Sequence, residues 1–303
     1  MKMKSKFLMA TAAIAMMAAP ALAQEKLKIG MTFQELNNPY FVSMQEALKE
    51  AAASISADVV VTDAGHDVAK QISDVEDMLQ QKIDILLLNP TDSAGIEAAV
   101  HAAKAAGAIV VAVDANANGP VDTFVGSKNR DAGYKSCKHL GDALGGKGEV
   151  AILDGIPVVP ILQRVEGCKA ALAEFPEIKL VDTQNGRQDR SVALGVVENM
   201  IQSRPNLAGI FSVNDGGAMG ALAAIQGSGK DIKLTSVDGA PEAVKAIAEG
   251  GPFIETTAQF PRDQVRVGLA MALAQKWGAR VVPKEVPIDV MVVDSKNAGE
   301  FSW

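Results

Sequence analysis

Short Val-, Ile- and Leu-rich runs alternate with longer segments of helical spacing along almost the whole chain, and that alternation leaves few folds open. In the first half, Lys26–Phe33, Ala57–Thr62, Ile83–Leu88 and Ile109–Val113 are predicted strands. Between them, Phe41–Ala53, Val68–Gln80 and Ser93–Ala106 place apolar residues on one helical face and are predicted helices. The strand runs are continuously apolar, which predicts burial on both faces. Such a β–α–β series builds a parallel sheet with helices on both sides. A second series follows, with strands at Glu149–Leu153, Lys179–Thr183, Leu207–Ser212, Lys233–Ser236 and Phe253–Thr257. Its helices are predicted at Arg130–Leu144, Pro160–Glu174, Ser191–Ser203, Met219–Gly227 and Pro241–Glu249. A helix over Arg262–Trp277 and a strand near Val286–Val293 follow. The expectation is an α/β protein of two Rossmann-like lobes with parallel sheets, joined near residues 126–129. The 303 residues suffice for two lobes, each with its own core.

The first 23 residues are set apart from this pattern. Lys2, Lys4 and Lys6 precede an apolar run from Phe7 to Ala19, Pro20 breaks it, and Ala21-Leu22-Ala23 has the small-x-small form of a cleavage site. Together they read as a secretory signal peptide, cleaved near Ala23. The run is shorter than the roughly 20 residues of a spanning helix. No cysteine stands at the cleavage site, so no lipid anchor is expected. The net charge is −7 with no basic cluster after the first six residues, which excludes nucleic-acid binding through phosphate neutralisation. Cys137 and Cys168 are the only cysteines, both on predicted helices. In an oxidising compartment they can pair, and equally they can be two buried, unpaired small hydrophobes. Their number and spacing suit no zinc site, and no metal is expected.

Ligands of open parallel sheets bind beyond the carboxyl ends of the strands. The residues just past the predicted strands are Gln34, Asp63, Asn89, Asp114, Asp154, Asn214, Asp238 and Gln259. Taken singly, each Asp or Asn ends its strand by turning the chain or capping the next helix. Taken together, amides and carboxylates suit a ligand carrying many hydroxyl groups, which both donate and accept. They do not suit a phosphate, which calls for backbone N–H groups and cations.

With these residues the chain resembles the ribose-type periplasmic sugar-binding proteins of ABC transporters, from about Lys28 to Asp294. The motifs are Leu36-Asn37-Asn38-Pro39-Tyr40-Phe41, Leu88-Asn89-Pro90-Thr91-Asp92-Ser93, Val113-Asp114, Arg164-Val165-Glu166-Gly167, Phe211-Ser212-Val213-Asn214-Asp215, Val237-Asp238-Gly239 and Ala258-Gln259-Phe260-Pro261. The resemblance implies a type I periplasmic binding protein fold. It places three crossings near Ser127, Gln259 and Asp289, with one lobe formed by 24–127 plus 260–289 and the other by 128–259 plus 290–303. It implies that Asn38, Asn89, Asp114, Arg164, Asn214, Asp238 and Gln259 hydrogen-bond the ligand, with Gln34 beside them. Tyr40 and Phe41 would flank its apolar face, and Arg164 would fork hydroxyls or pair with Asp114 or Asp238. Two positions depart from ribose binders: Ala115 stands where they carry Arg, and Gln188 where they carry Phe. These departures favour a small polyol or an unusual pentose, and within the family the chain is similar to members serving sugar-alcohol uptake, such as erythritol. The resemblance further implies a monomer in the periplasm, working without cofactor, closing about its hinge on the ligand and delivering it to an inner-membrane ABC permease.

Other functions are weighed against this one. A sensor presenting the ligand to a chemotaxis or signalling receptor would use the same fold. A hydrolase would need a nucleophile with its base. The only histidines are His66, His101 and His139, no Gly-x-Ser-x-Gly elbow is present, and no catalytic residue is assigned. Asp215-Gly216-Gly217-Ala218-Met219-Gly220 is placed like a phosphate loop but lacks the Gly spacing and the Lys, so its glycines read as a tight turn. A transcription regulator on the same core would need a DNA-binding segment where the signal peptide stands.

Overall fold

The computed structural model describes residues 26–303, and the signal-peptide expectation lies outside them. Two six-stranded sheets carry the chain. The first comprises β1 (Lys28–Phe33), β2 (Asp58–Asp63), β3 (Ile85–Leu88), β4 (Ile109–Val113), β5 (Thr123–Ser127) and β11 (Glu285–Ile288). The second comprises β6 (Lys147–Asp154), β7 (Glu177–Asn185), β8 (Leu207–Ser212), β9 (Lys233–Asp238), β10 (Phe253–Ala258) and β12 (Met291–Asp294). Their strand orders correspond: β11-β5-β4-β3-β1-β2 and β12-β10-β9-β8-β6-β7. In each, the first strand lies second from one edge and the order reverses beside it, the doubly wound arrangement that opens a crevice at the strands' carboxyl ends. All pairs in the first sheet are parallel, whereas β12 runs antiparallel to β10.

The helices are α1 (Pro39–Ser54), α2 (Val68–Gln80), α3 (Glu97–Ala105), α4 (Asn129–Ala143), α5 (Val159–Leu172), α6 (Arg190–Ser203), α7 (Asp215–Ser228), α8 (Pro241–Glu249) and α9 (Pro261–Lys276). Four begin at side-chain caps: Asn38, Asp67, Asp189 and Asn214 each accept from a backbone N–H of the first turn. β3 and β4 are buried along their whole length, as expected of central parallel strands. The chain passes from the first sheet to the second after Ser127, returns after Ala258, and crosses again between Ile288 and Met291.

Three features depart from the expected elements. β5 is an additional strand, and its sequence Thr-Phe-Val-Gly-Ser is too short and mixed to stand out. The single strand expected over Val286–Val293 is two strands, one in each sheet, interrupted at Asp289-Val290. α7 begins at Asp215 and runs through Gly216 and Gly217, because Asn214 caps it there.

α4 and α5 cross closely. A Cβ on Gly133 would stand 1.9 Å from the Arg164 carbonyl oxygen, and one on Gly167 would stand 1.9 Å from that of Arg130. Only glycine permits both approaches. The same crossing brings Cys137 and Cys168 together in a disulfide, 31 residues apart in sequence. Closing a loop of that size is worth about 3.7 kcal/mol through the unfolded chain. Cys137→Ser/Cys168→Ser is therefore expected to melt several degrees lower than the parent, and an unchanged melting temperature would remove the bond from the stability account.

Candidate functional site

The strand ends of both sheets converge on one narrow cavity. Its wall on the first sheet's side is Gln34, Asn38, Tyr40, Phe41, Asp114 and Ala115. On the other side stand Val158, Pro160, Ile161, Arg164, Gln188, Asn214 and Asp238, with Gln259 at a crossing. The cavity leads to a wider groove between the halves, bordered by Glu35, His66, Arg187, Arg190 and Glu242. His66 Nε2 stands 3.0 Å from Glu35, whose hydrogen bond holds the imidazole pKa above its usual value.

Asp114 follows β4 and is buried. The Tyr40 hydroxyl donates to its Oδ1 (3.2 Å) and Asn89 Nδ2 to its Oδ2 (3.1 Å). Burial pushes its carboxyl up to about 6, while Arg164 across the cavity and these two donors oppose the rise. The Tyr40 hydroxyl in turn accepts from Gln264 Nε2, which also reaches Ser127 Oγ at 2.7 Å. Burial, with Asp114 next in weight, raises the phenol pKa well above its usual value.

On the opposite wall, Arg164 uses Nε on Asn129 Oδ1 (2.8 Å) and Nη1 on the Val213 carbonyl (2.8 Å) and Asp238 Oδ1 (3.3 Å). Gln259 Nε2 also donates to Asp238 Oδ1, at 2.8 Å. The Asp215 backbone N–H donates to Asp238 Oδ2. Burial raises the Asp238 pKa and the guanidinium opposes it. Asp215 sits behind it, accepting from Ser236 Oγ, Thr256 Oγ1 and the Ala240 N–H; burial, then Asp238, lifts it to about 7. Asp114, Gln188 and Asp238 adopt positive φ (68°, 59° and 141°), backbone that non-glycine residues hold only when the surroundings enforce it.

The expected site residues fall into place unevenly. Gln34, Asn38, Tyr40, Phe41, Asp114, Arg164, Gln188, Asn214, Asp238 and Gln259 all line the cavity. Asn89 does not: its amide is spent on Asp114, the Val113 carbonyl and the Gln34 N–H, which puts it one layer behind the wall. Asn38 and Asn214 spend their carbonyl oxygens capping α1 and α7. Arg164 pairs with Asp238, on its own side, and not with Asp114. Tyr40 and Phe41 pack edge to face within the first sheet's core, so the Tyr40 hydroxyl serves to orient Asp114. Asp63 and Asp154 line neither side of the cavity; each accepts from a backbone N–H of the turn that follows it.

A profile of the periplasmic binding protein domain matches residues 29–279. A ribose import binding protein of Bacillus subtilis is 38% identical over 239 residues, 78% of either chain. The chain belongs to the ribose-type periplasmic sugar-binding proteins. Among solved structures of this family, an ABC transporter periplasmic solute-binding protein from Actinobacillus succinogenes with bound D-allose superposes with a TM-score of 0.85 at 31% identity, covering 91% of this chain and all of that one. A solute-binding protein from Mycobacterium smegmatis with bound glycerol gives 0.86 at 31% identity, covering 90% and 96%. The fold is thus that of the type I periplasmic binding proteins, whose relatives here are solute-binding proteins of ABC transporters.

Within this sugar-binding frame, the sequence left several wall and support residues unread. Val158, Pro160 and Ile161 give the cavity an aliphatic flank; the run Ile156-Pro157-Val158-Val159-Pro160 just past Asp154 was the available signal. Asn129, Asp215 and Gln264 hold wall residues from behind; Asp215 stands in the Phe211–Asp215 motif, but nothing local marks its bracing role or that of the other two.

Proposed function

We propose that this protein is the substrate-binding component of an ABC importer and captures a small neutral polyol or pentose between its halves in the periplasm. One observation carries the reading. Strand-end amides and carboxylates of both sheets face one cavity, and the buried Gln34 Oε1 and Gln259 Oε1 on its wall have no hydrogen-bond partner among the described residues. Buried polar atoms are ordinarily paired, so two unpaired acceptors on one wall ask for a ligand that donates. Asp114 and Asp238 add acceptors, and Arg164 is the one cation on the wall. A hydroxyl-rich neutral molecule meets that set; a sugar phosphate or sugar acid would face two carboxylates.

Ala115 leaves no guanidinium beside Asp114, and Gln188 puts an amide, not an aromatic ring, on the far wall. Both changes favour a ligand smaller or more open than a flat pyranose, a reading supported by the Mycobacterium smegmatis solute-binding protein solved with bound glycerol. An erythritol-like sugar alcohol is the leading ligand. The wall's two carboxylates could in principle serve acid–base chemistry, but Asp114 is held by Tyr40 and Asn89 and Asp238 by Arg164 and Gln259, which suits them to accept ligand hydroxyls and supports binding without chemistry. The chain crosses three times between the sheets, and those crossings serve as the hinge. A ligand gripping both walls favours the closed arrangement by its differential affinity. The permease then recognises the closed halves.

Thermal unfolding against tetritols, pentitols, pentoses and hexoses tests this reading. A true ligand at about 100 times its Kd stabilises by ~2.7 kcal/mol. X-ray scattering should show a smaller radius of gyration with that ligand. Stabilisation only by non-carbohydrates would sink the proposal.

A further inference from the structure

We propose that Trp303 is a positioning residue of the cleft, a clasp that ties a wall residue of one half to a wall residue of the other and restrains opening. The inference rests on the binding reading above for its purpose, but not for its geometry. Trp303 follows β12, beyond the stretch that matches the family profile. Its indole Nε1–H donates to the Asp238 carbonyl at 3.1 Å, on the second sheet's side. Its ring meets the Tyr40 ring edge to face at 5.8 Å and packs on the first sheet's core. Tyr40 and Asp238 both line the cavity, whereas Trp303 does not.

The segment leading to Trp303 is itself anchored. Phe301 packs on the second sheet's core and meets Phe260, at the return crossing, with ring centroids 6.4 Å apart. It lies against Gly239, where an added Cβ would come 3.1 Å from its ring. The positive φ of Asp238 turns the chain just where the indole takes its carbonyl. Tyr40 is held on its other side by Gln264 and Asp114. Moving the halves apart therefore breaks either the indole hydrogen bond or the ring contact.

The experiment compares the full chain with Trp303→Ala and Trp303→Phe. X-ray scattering without ligand comes first, because it needs no ligand identity. Trp303→Ala should show a larger radius of gyration than the parent, and Trp303→Phe, which keeps a ring but loses the donor, an intermediate value. Calorimetry with erythritol, xylitol and ribose as probes should then show Kd raised about tenfold in Trp303→Ala for whichever binds the parent. In a Trp277→Phe background Trp303 is the sole indole, and its emission should shift as that probe is added. An unchanged radius of gyration in Trp303→Ala overturns the clasp, even if its melting temperature falls. A larger radius alongside no binding of any probe by the parent upholds the clasp and removes the polyol reading.

Discussion

Arg164→Met is expected to destabilise the protein by about 3–5 kcal/mol and to weaken ligand binding about a hundredfold or more. The side chain is only 4% exposed, and its hydrogen bonds satisfy Asn129, the Val213 carbonyl and Asp238 at once. Methionine replaces the apolar stem but leaves the Asp238 carboxylate buried without its counter-charge. The cost is mostly that of the stranded charge, which gives the prediction a second edge. Asp238 can then relieve itself by taking up a proton, so the penalty should shrink as pH falls. Arg164→Met/Asp238→Asn should recover much of the stability and none of the binding. Melting curves and calorimetry on the two single variants and the double variant measure the coupling. Parent-like melting of Arg164→Met would mean that the guanidinium is not what neutralises Asp238.

The second large effect concerns Glu255, which lies in the middle of β10 and is fully buried. Burial is the leading cause that lifts its pKa to about 8. The hydrogen bonds agree with a protonated side chain. Ser136 Oγ lies 2.9 Å from the Ser236 carbonyl and 2.7 Å from Glu255 Oε2, yet a hydroxyl has one proton to give. If that proton goes to the carbonyl, the carboxyl donates to Ser136. Glu255→Gln reproduces this pattern, with Nε2 donating to Ser136 and Oε1 accepting from Thr257. The unfolded chain holds the same carboxyl near pH 4, so the folded state binds the extra proton between about pH 4 and 8. Stability then falls as pH rises through that window. Asp114 and Asp215, raised to about 6 and about 7, act in the same direction. The parent should melt higher at pH 5 than at pH 8. Glu255→Gln should match it near pH 4 and exceed it at neutral pH by an amount of the order of 3 kcal/mol. A variant that is less stable than the parent at pH 8 would show that the buried group is ionised and served by its donors.

The sheets were legible because parallel strands buried on both faces leave uninterrupted runs such as Ile85–Leu88 and Ile109–Val113. Most of the cavity wall was legible for a related reason: its polar residues sit at the strand ends, Gln34 and Asp114 one step past, Asn214 two steps past and Asp238 at the last strand position. β5 does not stand out in the sequence because Gly126 and two hydroxyl residues break up its apolar content. Asn89 braces Asp114 from one layer behind the wall, and a strand-end amide that faces a ligand and one that braces a neighbouring carboxylate look alike in sequence. Glu255 inside a strand, Gln264 inside a helix and Trp303 beyond the last strand are defined by partners 100 residues or more away for the first, and over 200 for Gln264 on Tyr40. No local pattern encodes such pairings.

The crossings also set the order in which the molecule can be completed. α9 covers β4 and β5, and β11 closes the edge at β5, yet both are encoded after the entire second sheet's first five strands. Arg262 on α9 meets Glu50 on α1 across 212 residues, and Thr123 in β5 bonds the Pro283 carbonyl across 160. A chain emerging amino end first therefore cannot seal its first half until nearly all of it is available. Until then, β5 offers an unpaired edge and an uncovered apolar face, the kind of surface that captures other chains. Maturation should accordingly be slow, governed by these distant closures, and sensitive to whatever keeps the nascent chain apart from its neighbours.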